Sequence, residues 1–132
     1  MFRYDYLWAR EEASGNRWGL KQRPSCVILA LGAGQAVYLA ISHEPPREGQ
    51  VAVEIPPEVR TIAGLDGARQ WVVVSEFNFD RHGPRLVSIP GKRGQKRYGT
   101  LPPSFFEEVK SAFLAQRKAG TQQQVDRTKD AA

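Results

Sequence analysis

Residues 26–41 form an almost wholly apolar stretch, broken only by Gln35, with Gly32-Ala33-Gly34 at its centre. The stretch is shorter than the roughly 20 residues that span a bilayer. It therefore reads as two strands and a tight turn, residues 25–31 and 36–42, apolar enough to be buried on both faces. The open ends of such a hairpin must lie side by side. Arg23, Ser42 and His43 then fall into one place, whatever the rest of the chain does.

Around that hairpin the remaining segments are short. Residues 2–8 alternate, with Tyr4, Tyr6 and Trp8 on one side, as a strand requires. Residues 10–22 are polar, hold Gly15, Asn16 and Gly19, and read as a long loop that is functional or mobile. A loop over 45–49 leads to a strand over 51–55, which Pro56-Pro57 ends because proline has no amide donor. Residues 57–60 can start one helical turn before Gly64. Residues 70–79 are the longest β-branched and aromatic run, and 86–89 read as another short strand. Pro102-Pro103 opens a helix whose Phe105, Phe106, Val109, Ala112 and Phe113 share one face, and Gly120 stops it. Beyond it only Val125 is apolar apart from alanine.

The expected fold class is mainly β, a small barrel of five to seven strands plus a C-terminal α-helix, because closure limits exposed edges. The 132 residues suit one domain. It is placed at 1–118, with 119–132 as a flexible polar tail. Charge at Arg3 and Asp5 interrupts any signal-peptide core, and the single cysteine, Cys26, excludes an internal disulfide framework. A cytoplasmic protein with no membrane contact is the expectation.

Net charge is +5. Residues 81–106 carry Arg81, Arg85, Lys92, Arg93, Lys96 and Arg97 with no Asp or Glu. Such a field suits a polyanionic partner or, equally, a solvated loop. There is no phosphate-binding glycine motif, no metal-ligand spacing and no serine nucleophile elbow, and His43 and His82 are the only histidines. No metal or cofactor is expected, which points any enzyme toward metal-free chemistry. In Lys21-Gln22-Arg23-Pro24 the proline biases Arg23 toward extended backbone. A guanidinium held there can clamp a phosphate in bidentate fashion, or be a surface arginine beside a turn. Glu76 closes a hydrophobic run. It is a general base if burial tunes it, an ion-pair partner for Arg23, or simply the end of a strand.

Tyr6-Leu7-Trp8, the long polar loop, Lys21-Gln22-Arg23-Pro24, Cys26-Val27-Ile28-Leu29, Val37 through Ser42, Gly64-Leu65 and Val72 through Glu76 together resemble the MazF/PemK toxins. The resemblance spans roughly residues 5–115. It implies an SH3-like barrel with a C-terminal helix, a homodimer, and the toxin of a type II toxin–antitoxin system that inhibits growth. Its members include endoribonucleases (mRNA interferases) that hydrolyse single-stranded mRNA without metal, by attack of the ribose 2′-hydroxyl on the adjacent phosphate. Carried over, Arg23 stabilises the scissile phosphate, Ser42 stands for a phosphate-binding threonine, and Glu76 falls near a carboxylate used as a base. Val74 or Ser75 stands where the plasmid-encoded branch has an arginine, and His43 is the expected substitute proton donor.

RNA would lie along Lys21 and the 81–97 basic segment, with unstacked bases on Trp18, Phe77 or Tyr98. An acidic antitoxin protein would cover the same groove. The other function that the resemblance allows is a non-catalytic binding module acting on gyrase or another protein, or on nucleic acid.

Overall fold

The computed structural model describes residues 1–16 and 23–128. Seven strands and three α-helices follow the order β1 (Phe2–Tyr4), α1 (Ala9–Ala13), β2 (Arg23–Leu31), β3 (Gln35–Ser42), β4 (Ala52–Glu54), α2 (Pro57–Ala63), β5 (Trp71–Val73), β6 (Glu76–Arg81), α3 (Pro103–Ala119) and β7 (Gln123–Asp126). A single 3-10 turn, Gly32–Gly34, joins β2 to β3, with Ala33 and Gly34 both at positive φ.

The central hairpin forms as expected. β2 and β3 pair antiparallel from Ser25↔Ala40 to Leu31↔Gln35, with a register shift between Val27 and Leu29. β3 is then shared. Its first half pairs with β6, Gln35↔Arg81 through Tyr38↔Asn78. Its last residues pair with β5, Ile41↔Val72 and Ser42↔Trp71. β4 adds to β5, and β1 adds to β2.

Alternate residues of β3 enter two cores, as the period of two demands. Val37, Leu39 and Ile41 join the larger core, which α3 covers with Phe105, Val109 and Phe113. Ala36, Tyr38 and Ala40 join a smaller one with Tyr4, Tyr6 and Trp8. The three alternating aromatics of the N-terminus do share one side, although only the first of them lies in β1; Trp8 caps α1 instead.

The fold is mainly β with a C-terminal helix, but the seven-stranded sheet does not close. The 70–79 run breaks at Val74-Ser75 into β5 and β6, which pair antiparallel with different parts of β3, and the outermost strands are only three or four residues long. The expected strand at 86–89 is also not regular. It makes isolated bridges while residues 85–98 cover the free edge of β1: Val87 N–H donates to Arg3 C=O, Arg3 N–H to Lys96 C=O, and Tyr98 N–H to Met1 C=O. A covered edge is the alternative to closure. Gly99 anchors the end of this cover on α2, where a β-carbon would stand 2.6 Å from the Ala63 carbonyl oxygen.

The expected flexible tail is corrected in its described part. Residues 123–126 form β7, parallel to β6, from Glu76↔Gln123 to Phe79↔Asp126. Val125 and Arg127 are both fully buried. Arg127 donates to the Asp5 carboxylate at 3.1 Å, to the Tyr4 hydroxyl at 3.3 Å and to the Asp5 carbonyl. The domain therefore runs to at least residue 128. Composition concealed this because edge pairing uses backbone groups, and one valine plus one paired arginine supply the anchor. Among the described residues no helix is long and apolar enough to cross a membrane.

Removing one partner of a buried ion pair costs about 3–5 kcal/mol. Arg127→Ala is expected to destabilise the protein by about 3 kcal/mol in urea unfolding, whereas Lys110→Ala on the exposed face of α3 shifts it by less than about 0.5 kcal/mol.

Candidate functional site

β1 ends where β2 begins, with Tyr4 opposite Arg23. Continuing the Ser25↔Ala40 register by two residues sets Ser42 opposite Arg23 on the other side. Arg23, Ser42 and His43 accordingly line one cavity of about 230 Å³, together with Trp8, Arg10 and Arg47. This is the juxtaposition that hairpin geometry requires.

Trp8 organises the cavity wall. Its backbone N–H donates to the Glu11 carboxylate at 3.0 Å, which fixes it at the start of α1. The Arg10 guanidinium carbon lies 4.6 Å from the Trp8 ring centroid, and that of Arg23 5.0 Å. Both distances are within cation–π range. With 3% exposure, Trp8 is a platform for guanidinium groups and not for a base.

Arg23 Nε is buried and has no hydrogen-bond partner. Burial pushes the Arg23 pKa down; Glu11 works against that and Arg10 adds to it. A guanidinium nevertheless stays charged in proteins. The result is a desolvated cation, without an ion pair among the described residues, that faces a hollow. Ser42 Oγ accepts the Glu44 N–H at 3.1 Å, so its own proton remains available to donate.

His43 Nε2 lies 2.8 Å from Asp66 Oδ2. Asp66 Oδ1 accepts the Ala68 N–H at 2.9 Å and the Gln70 side-chain amide at 3.2 Å. Burial alone would raise the Asp66 pKa, but the hydrogen bonds from His43 and Ala68 hold it below the usual carboxylate value.

Glu76 is not in this cavity. It is the first residue of β6, 4% exposed, and accepts the Ala9 N–H at 2.9 Å and the Tyr6 hydroxyl at 3.3 Å. It staples α1 to the sheet and forms no ion pair with Arg23. It borders a neighbouring hollow with Ser75 and Gln123, which shares Arg10, Arg47 and Gln50 with the first. Burial raises its pKa, and the Ala9 and Tyr6 hydrogen bonds moderate the shift.

The basic run does not act as one wall. Arg81 pairs with Gln35, at the opposite end of β3 from Ser42 and roughly 20 Å away at about 3.3 Å per residue. Arg85 is spent on the buried Asp80 carboxylate at 2.9 Å. Arg97 donates to Thr100 and borders an apolar hollow with Met1, Phe2 and Phe106. Arg93 and Lys96 are exposed. Lys92 alone adjoins the site, in a hollow on the other side of His43 that Arg3, Asp66 and Tyr98 also line. Phe77 packs edge-on against Phe113 in the larger core, so it offers no face to a base, whereas Tyr98 is partly buried against the same core and borders the hollow beside His43. Trp18 and Lys21 lie outside the described residues.

Trp8, Arg10, Arg47 and Asp66 are the residues that sequence reasoning missed. Trp8 was legible only as a strand aromatic, and the others sit in polar segments without a motif. Among the described residues no group of three or more His, Cys, Asp or Glu side chains is placed to hold a metal ion.

Because the folded pKa of Glu76 is raised, the folded state binds its proton more tightly than the unfolded chain. Stability therefore falls as pH rises from the ordinary carboxylate range through the raised value. Glu76→Gln keeps an acceptor for Ala9 and is expected to lose that decline, which thermal melts between pH 4 and 8 read directly. Comparison of the chain with protein-family models, with curated proteins and with solved structures finds no match.

Proposed function

We propose that this protein is a metal-independent endoribonuclease that cuts single-stranded RNA, acting as the toxin of a toxin–antitoxin pair. The observation that carries the reading is Arg23: a half-buried guanidinium, stacked on Trp8, with an orphaned Nε, opposite the hydroxyl of Ser42 in one small cavity. That is the chemistry of a phosphate clamp. Arg10 and Arg47 line the same cavity and, with Arg23, outnumber the carboxylates of Glu11 and Glu44 there, although Arg47 pairs with Glu44 at 3.6 Å; the excess of cations favours a polyanion. The resemblance to MazF/PemK toxins in the order of short motifs supplies the reaction class.

In the reaction, the ribose 2′-oxygen forms a bond to the adjacent phosphorus as the phosphorus–5′-oxygen bond breaks. The products are a 2′,3′-cyclic phosphate and a 5′-hydroxyl. Negative charge builds on the non-bridging oxygens, and Arg23 and Ser42 donate to them there. Preorganised donors of this kind act most strongly in a site where water is excluded. A carboxylate-rich antitoxin segment would occupy the same cations and block access, and the toxin would work as a homodimer.

A binding module without catalysis is the second reading, and the placement of Glu76 favours it. The carboxylate that the resemblance offers as a base is committed to Ala9 and Tyr6.

End-labelled single-stranded RNA incubated in EDTA separates the two. The enzyme yields fragments ending in cyclic phosphate. The module yields salt-sensitive binding and no fragments. Arg23→Ala is expected to reduce cleavage at least 10²-fold, the order seen when one charge-stabilising donor is removed, with an unchanged melting temperature. Full cleavage by that variant refutes the assignment.

A further inference from the structure

We infer that His43 and Asp66 form a general-base dyad for the cleavage step, with His43 taking the 2′-hydroxyl proton and Asp66 positioning it. This rests on the cleavage reading above and assigns the proton transfer that Glu76 is not placed to perform.

Position comes first. His43 directly follows Ser42 and stands between two hollows, the Arg23 cavity on one side and the Arg3–Lys92–Tyr98 hollow on the other. A strand passing from one to the other crosses the imidazole next to the phosphate clamp.

Chemistry follows from Asp66. Its pKa is held down, so it is an ionised carboxylate at neutral pH and can only accept. The 2.8 Å contact must then be His43 Nε2–H donating to Oδ2. That fixes the neutral tautomer and leaves Nδ1 as the basic nitrogen, without a protein partner among the described residues. The same division of labour between a carboxylate and an imidazole operates in catalytic triads.

The carboxylate is itself held. Its other oxygen accepts Ala68 N–H and Gln70 Nε2, and Gln70 is 1% exposed and also donates to the carbonyls of Asp66 and Ala68. A pair on the surface adds little to stability, so a buried glutamine that fixes one of its members is a device for orientation. The other charged groups that border the two hollows are Arg10, Glu11, Arg23, Glu44 and Arg47 on the clamp side, and Arg3 and Lys92 on the far side.

The step balances. Nδ1 takes the 2′-hydroxyl proton as the 2′-oxygen–phosphorus bond forms. The phosphorus–5′-oxygen bond breaks, the 5′-oxygen takes a proton from water, and the imidazolium returns its proton to solvent.

The test uses the full chain, a short labelled single-stranded RNA and EDTA. His43→Ala is expected to slow cleavage by about 10²–10⁴-fold, to lose the rise in rate on the acid side of the pH profile, and to regain rate with added imidazole. Asp66→Asn is expected to slow cleavage about 10–100-fold while RNA affinity stays within about twofold, and Asp66→Glu to recover part of the loss. Wild-type protein that cuts, an inactive Arg23→Ala, and a His43→Ala that cuts at full rate or keeps the acid limb would overturn the dyad alone. Wild-type protein that binds RNA without cutting overturns the dyad and the cleavage reading together.

Discussion

The register of β3 is the constraint on which everything else in this molecule depends. It hydrogen-bonds to β2, β5 and β6, and both of its faces are buried. A slip of one residue would exchange Val37, Leu39 and Ile41 with Ala36, Tyr38 and Ala40, putting bulk where the small residues sit and a tyrosine hydroxyl in the apolar core. The two cores differ so much in size and polarity that one register satisfies both. The same register ends β3 at Ser42 opposite Arg23. The pairing of Arg23 with Ser42 is thus a direct geometric product of core packing, with both residues on regular strands, while His43, Arg47 and Asp66 lie in the connecting segments.

The treatment of buried cations separates architecture from function. Arg127, fully buried, meets the Asp5 carboxylate and carbonyl and the Tyr4 hydroxyl. Arg85 meets Asp80, whose other contacts include the Tyr4 hydroxyl. Arg60 reaches the Ile55 carbonyl. Each of these guanidiniums meets at least one oxygen that the fold supplies, although Arg60 Nε is buried without a partner, as Arg23 Nε is. Arg23 meets no such oxygen among the described residues: it has the ring of Trp8 beneath it and a hollow before it. Desolvating a cation without supplying an oxygen is unfavourable for the free protein, and an anionic ligand that brings the missing oxygens removes the penalty on binding.

Local alternation and turn chemistry made the hairpin, α3, the break at Pro56-Pro57 and the adjacency of Arg23 with Ser42 readable from the chain. These depend on neighbours in sequence. What escaped depends on distant partners. β7 forms because the outer edge of β6 is free, not because residues 123–126 favour a strand. The 86–98 segment is drawn along β1 by backbone groups, so its β pattern produced a cover and not a ladder. Glu76 was legible as a carboxylate at a strand end, but which side of the sheet end it serves was decided by α1, whose Ala9 amide and neighbouring Tyr6 hydroxyl claim it. The basic run looked like one field because charge was counted along the chain; in space its members point to opposite ends of β3. Asp66 carried no signal at all, since a lone Leu-Asp-Gly is an ordinary turn.

These placements together account for the division of polar work at this end of the sheet. Besides Glu11 and Glu44, which line the cavity itself, two acidic groups border the adjoining hollows, and their pKa values move in opposite directions. Glu76 is enclosed, its pKa rises, and it accepts hydrogen bonds that hold the helix carrying Arg10. Asp66 is open to solvent, its pKa is lowered, and it holds the imidazole next to Ser42. The carboxylate that maintains the wall is enclosed by Ala9 and Tyr6 and lies outside the cavity, so it is not placed to exchange a proton there. In the proposed cleavage Asp66 orients the imidazole and leaves the wall untouched, so the group that keeps the guanidinium platform in place is separate from the pair to which the proton transfer is assigned.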